Sequence, residues 1–169
     1  MRPCLVAGGL LAALAAGCAS TVRSPTAPAA PAKASDAVRV VNLQAMPTAV
    51  NWDDKPGPDG LRVRVYLFRG EGDQPDPVLG KGSLEFRLYE GALRQGDLAA
   101  ATPIRTWSFD PAELAAHTAR GLVGWHYAFA LGWGADVPAA GVVTLLARYL
   151  PRAGEPAASA PITITMKMS

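Results

Sequence analysis

Cysteine is nearly missing from this chain. Of 169 residues only Cys4 and Cys18 carry a thiol, and both lie in the first stretch of sequence. Beyond Cys18 there is no disulfide, no CxxC redox pair and no thiol nucleophile, so the folded part must hold together by burial alone. Histidine is almost as scarce, with His117 and His126 the two present. No HExxH, GxSxG or GxxxxGK[ST] pattern occurs, although Gly80-Lys81-Gly82-Ser83 has a superficial likeness to the last. The inventory therefore points away from an enzyme and gives no catalytic residue, no cofactor and no metal. Blocks of like charge are absent as well, and the formal net charge is only +2. Nucleic-acid binding leaves a basic stripe, so no nucleic acid is expected as a partner. The apolar run Leu5 to Ala16 falls short of the roughly 20 residues a bilayer-spanning helix needs.

What that run does have is order. Arg2 supplies a positive charge, the apolar stretch follows, and Leu14-Ala15-Ala16-Gly17 lead with small residues into Cys18. A charge, a short apolar core and a small-residue site are the parts of an export signal. With a cysteine directly after that site, the segment resembles the lipobox of bacterial lipoproteins. One departure is Ala15, where the family prefers Leu; Leu14 lies one place further back. The resemblance implies cleavage before Cys18, a diacylglycerol on its sulfur and usually a further acyl chain on the new amino group. One myristoyl chain binds a membrane only marginally, but each buried methylene adds about 0.8 kcal/mol, so two or three chains give a lasting anchor. Ala19 is not Asp, and by the sorting rule of the resembled family this favours the outer membrane, facing the periplasm, over the inner one. The expected organisation is a signal peptide over residues 1–17, a lipidated Cys18 with a flexible Pro/Ala-rich tether over 18–37, and a folded domain over 38–169. Pro25, Pro28 and Pro31 with no hydrophobic period give the tether its extended character. At about 3.1 Å per residue it reaches up to roughly 60 Å.

The domain reads as strands. Val38 to Leu43 is β-branched, Pro47 interrupts it, and Thr48 to Trp52 continues the extended chain. Leu61, Val63, Val65 and Leu67 alternate with Arg62, Arg64, Tyr66 and Phe68, so the first set faces a core. Leu84, Phe86 and Leu88 form a second such face, and the two strands are expected to pair antiparallel across the long connection Gly70–Gly82. Ile104 to Phe109 is a further strand. Asp110-Pro111-Ala112-Glu113 then opens a short helix with a capping-box spacing, ending before Gly121. Trp125 to Trp133, Gly141 to Leu150 and Ala160 to Met168 complete about seven strands. With so little helix, their apolar faces must bury against each other. The fold class is all-β: a two-layer antiparallel β-sandwich, immunoglobulin-like or transthyretin-like, with one short helix.

Three features bear on function. Trp125, Tyr127, Phe129, Leu131 and Trp133 share one strand face. Such a face either fills the core or, through Trp125, Tyr127 and Trp133, forms an aromatic surface for sugar rings. Asp53, Asp54, Asp59, Glu71, Asp73 and Asp76 fall in two loops, but without a DxDxDG pattern they read as solvated turn residues rather than a calcium site. Lastly, Gly60-Leu61-Arg62-Val63-Arg64-Val65-Tyr66-Leu67 resembles a strand of the small outer-membrane lipoproteins of type VI secretion. That resemblance implies a transthyretin-like sandwich that recruits the periplasmic domain of a partner through its loops. The expected partners are thus the membrane, through the lipid anchor, and an envelope protein. A carbohydrate- or peptidoglycan-binding lipoprotein is the alternative.

Overall fold

A computed structural model describes residues 34–53, 55–70 and 77–166. Cys18, nearly all of the expected tether and Asp54, Glu71, Asp73 and Asp76 lie outside the described residues. The described part is an all-β sandwich of two sheets with one short helix. Its strands in chain order are β1 (Ala34–Ser35), β2 (Val40–Ala45), β3 (Gly60–Phe68), β4 (Pro77–Gly80), β5 (Ser83–Glu90) and β6 (Arg105–Phe109). After helix α1 (Pro111–Ala116) come β7 (Thr118–Arg120), β8 (Trp125–Gly132), β9 (Val142–Leu150), β10 (Ala157–Ala158) and β11 (Ile162–Thr165).

In the first sheet β3 is central. It pairs antiparallel with β2 along one side, and with β8 and then β4 along the other. β7 extends the sheet beyond β8, and β1 adds to β4 as a parallel pair. In the second sheet β9 is central, between β5 and the β10–β11 side, with β6 outside β5. β10 and β11 act as one interrupted strand, and between them Ser159 keeps contact through its amide and its hydroxyl, both bonded to Ala147.

The alternation seen in the sequence is what buries the core. Leu61, Val63, Val65 and Leu67 of β3 face Leu84, Phe86 and Leu88 of β5 and Val143, Leu145, Ala147 and Tyr149 of β9, all buried in one cluster. β3 and β5 therefore do not pair, contrary to the expectation from their shared alternation; they lie in opposite sheets. The reason is the corner Gly80-Lys81-Gly82, where the chain leaves β4 in one sheet and starts β5 in the other. A Cβ at Gly82 would run into the Leu150 carbonyl oxygen, and one at Gly80 into the Tyr149 ring, so only glycine permits that close crossing. The same glycines explain the superficial likeness to a phosphate loop.

At Pro47 the chain again changes sheet. β2 belongs to the first sheet, but the Pro47 carbonyl accepts from the Thr165 amide, and the Ala49 amide donates to the Thr165 carbonyl. Proline has no amide to offer a ladder, which suits a point where pairing switches sides. Helix α1 has the expected capping box: Asp110 Oδ1 accepts from the Ala112 and Glu113 amides at 2.8 and 2.9 Å, and Glu113 Oε2 accepts from the Asp110 amide at 2.8 Å. It stops at Ala116, and Thr118–Arg120 pairs with β8 instead of continuing the helix.

Pairing also begins before the expected domain boundary at residue 38. Ala34 and Ser35 sit opposite Leu79 and Gly80, and the Ser35 carbonyl accepts from the Lys81 amide and from the Tyr149 hydroxyl. Nothing in the local sequence marks these small residues as a strand; the pairing comes from the unpaired edge that β4 presents.

Candidate functional site

β8 runs antiparallel to β3 with Val63 opposite Phe129 and Leu61 opposite Leu131. That register turns Tyr127, Phe129, Leu131 and Trp133 into the sandwich, where all four are buried. Phe129 packs against Phe86 of the opposite sheet at 4.9 Å, against Phe109 at 4.6 Å and against the His117 ring at 4.4 Å between centroids. Trp133 is fully buried, and its indole donates to the Pro58 carbonyl at 2.8 Å. Of the three aromatic residues expected as a possible surface, Tyr127 and Trp133 are thus interior, and only Trp125 is partly exposed. The physical reason is the strict alternation: β8 has one apolar face, and the second sheet covers it.

The exposed tryptophan is another one. Trp52, 41% exposed, lays its ring over Gly60, where a Cβ would strike it. Its neighbourhood is held by Asp59, whose carboxylate accepts the Trp52 and Asp53 amides at 2.6 and 3.1 Å. Asp59 thereby binds its own loop, as a turn carboxylate does. Among the described residues no group of acidic, histidine or cysteine side chains has the arrangement of a metal site.

The two histidines are drawn into packing. The His117 ring lies edge-on to Phe109 at 5.1 Å, with Nδ1 3.2 Å from the Ala128 carbonyl. His126 is buried against Tyr66 with ring centroids 4.9 Å apart. Tyr66 lies on the same strand face as Arg62 and Arg64, but His126 and the nearby Gly121 cover it.

What remains open is the outer face of the first sheet. There Gln44, Arg62, Arg64 and Ala130 are exposed, and a shallow trough of about 600 Å³ is lined by Met46, by Arg62 and Arg64 of β3 and by Ala128 and Ala130 of β8 beyond them. Neither Arg62 nor Arg64 forms an ion pair among the described residues. The outer face of the second sheet is less available. Glu85 there holds Arg87 at 2.7 Å and Arg148 at 3.1 Å, and the segment after β5 folds over Tyr89 and Leu146 with Leu98. Thr144 fixes that segment by donating to the Gly91 carbonyl and accepting from the Leu93 amide.

A second exposed feature is the tip of the β7–β8 hairpin. Gly121 and Gly124 exchange amide–carbonyl bonds of 2.9 and 3.2 Å, which leaves Leu122 fully exposed and Val123 60% exposed between them. Behind the tip the Arg120 guanidinium sits 5.8 Å from the Trp125 ring centre. No sequence signal singled out this pair, because two apolar residues between glycines have no period. Among the described residues no helix is long and apolar enough to cross a membrane. Comparison with protein-family models, with curated proteins and with solved structures found nothing that matches this chain.

Proposed function

We propose that this chain is a lipid-anchored protein of the bacterial cell envelope, held by acyl groups on Cys18 at the outer membrane and facing the periplasm. Its sandwich acts by binding a partner protein rather than by catalysis. The observation that carries this is the order of Arg2, the apolar run from Leu5 and the small residues leading into Cys18. The bare outer face of the first sheet supports the binding half. A wide, shallow trough with Arg62 and Arg64 standing over small residues suits an extended acidic protein surface better than an enclosed small ligand.

The octapeptide that resembles type VI secretion lipoproteins is β3, the central strand of the first sheet. It therefore speaks for the sandwich rather than for any particular partner. Sugar binding has less support, since Tyr127 and Trp133 are occupied in the core.

Detergent phase partitioning of the full chain expressed in a Gram-negative host tests the anchor. Wild type should enter the detergent phase as the shortened, acylated form, whereas Cys18→Ala should accumulate as unprocessed precursor without lipid. Equal processing and partitioning of the two would refute the anchor.

A further inference from the structure

We infer that the Leu122–Val123 hairpin tip dips into the lipid bilayer and gives the domain a second point of membrane contact, with a fixed end facing the membrane. The tip is built to project. Gly124 has a φ of +129° and lies against the Pro77 ring so closely that a Cβ would collide with it. On the other side a Cβ at Gly121 would come within 3.3 Å of His126 and 3.6 Å of the Tyr66 hydroxyl. The tip is thus braced through its two glycines, while the side chains between them touch water. Two apolar side chains held out on a braced turn gain nothing from burial in water, whereas a bilayer buries them. Just behind them Trp125 is partly exposed under the Arg120 guanidinium. An indole and a cation directly behind an apolar tip match the headgroup level of a membrane, where amphipathic side chains concentrate.

The direction in which the chain enters the domain supplies an independent argument. Ala34 and Ser35 run parallel to Leu79 and Gly80. β4 starts at Pro77 opposite Phe68, and Arg120 pairs with Trp125 at this same end of the sheet. Ala34, the first described residue, therefore lies at the end of β1 that points towards the tip-bearing end of the sheet. The inference shares the membrane setting of the proposed function but does not depend on acylation.

The attraction is apolar rather than electrostatic. Arg39, Arg69 and Arg120 stand exposed at this end, but Glu71, Asp73 and Asp76 occur in the sequence between Arg69 and Pro77. Two side chains bind a bilayer weakly alone; attachment of the chain to the same membrane raises their local concentration and makes the contact persistent.

The test uses the full chain with Cys4→Ser and Cys18→Ser, carrying an N-terminal hexahistidine that holds it on phosphatidylethanolamine/phosphatidylglycerol vesicles containing a nickel-chelating lipid. Acylation then plays no part. A polarity-sensitive fluorophore is placed on Leu122→Cys or, as the control, on Val137→Cys. Val137 is also apolar and exposed but follows β8 at the opposite end of the sheet. The probe at 122 should shift to the blue, brighten several-fold and be quenched by doxyl groups on lipid chains, equally in low and high salt. The probe at 137 should stay in water, and Val123→Asp should return the probe at 122 to water. Equal aqueous spectra at both sites on vesicle-held protein would overturn the inference. So would a shift at 122 that needs no vesicles and grows with protein concentration, which would make the tip a contact between copies of the chain.

Discussion

Tyr127 and Tyr149 each place a hydroxyl at the corner where the chain crosses between sheets. The Gly80 amide donates to Tyr127 Oη at 2.9 Å and the Gly82 amide to Tyr149 Oη at 2.8 Å. Burial pushes both phenols above the ordinary tyrosine value, and the amides they accept only partly offset it. In the unfolded chain a tyrosine ionises near pH 10. Because the folded pKa values are raised, the stability these groups provide is complete below about pH 10 and is lost as pH rises through the folded values. Urea midpoints should be flat from pH 7 to about 9 and then fall. Tyr127→Phe should cost about 1–3 kcal/mol at pH 7, the penalty of leaving the partly buried Gly80 amide without its acceptor. The double change Tyr127→Phe with Tyr149→Phe should flatten the alkaline fall; a decline as steep as that of wild type would assign it to other groups. Phe129 is the other residue on which the core turns. Phe129→Ala should cost about 3–5 kcal/mol, a large part of the roughly 5–15 kcal/mol that holds a domain together. Urea unfolding would show it as a lower midpoint, whereas an unchanged midpoint would contradict the packing at this site.

Elements of strong alternation were legible in the sequence and short ones were not. β3, β5 and β8 each bury one apolar face, so their period survives in the residues, while β9, buried on both faces from Val143 to Ala147, reads as a mostly apolar run. β1, β4, β7 and β10 have two to four residues each, too few to show a period, and they form because an edge was available for pairing. Pairing partners were equally hidden: β3 and β5 have the same pattern, and only the glycine corner reveals that they face each other across the core. The candidate site followed the same logic. Alternation marked Tyr127 and Trp133 as sharing a face but was silent on whether that face met a second sheet. β1 gives a prediction at this scale. A chain starting at Val38 loses the Ser35 carbonyl that accepts from Lys81 and Tyr149. It should be about 1–3 kcal/mol less stable than one starting at Ala19, given roughly 0.5–1.5 kcal/mol for each hydrogen bond. Equal melting temperatures would mean that β1 only decorates the edge.

At the scale of the whole molecule, the fold explains a domain that needs no disulfide. Both sheets contribute to one buried cluster, which links β3 and β8 to β5, β9 and β11, and the tyrosine-held corner closes the connection between the layers. The function proposed for it depends on where that domain is held. An acylated N-terminus would fix the sandwich at a membrane, with its trough of Arg62 and Arg64 open to a partner and its hairpin tip towards the lipid. Mass spectrometry of the N-terminal peptide from membrane-extracted protein tests this most directly. The account predicts a mature chain whose first residue is Cys18, carrying a diacylglycerol on sulfur. A mature chain that starts elsewhere, or one that starts at Cys18 with a free thiol, would contradict it.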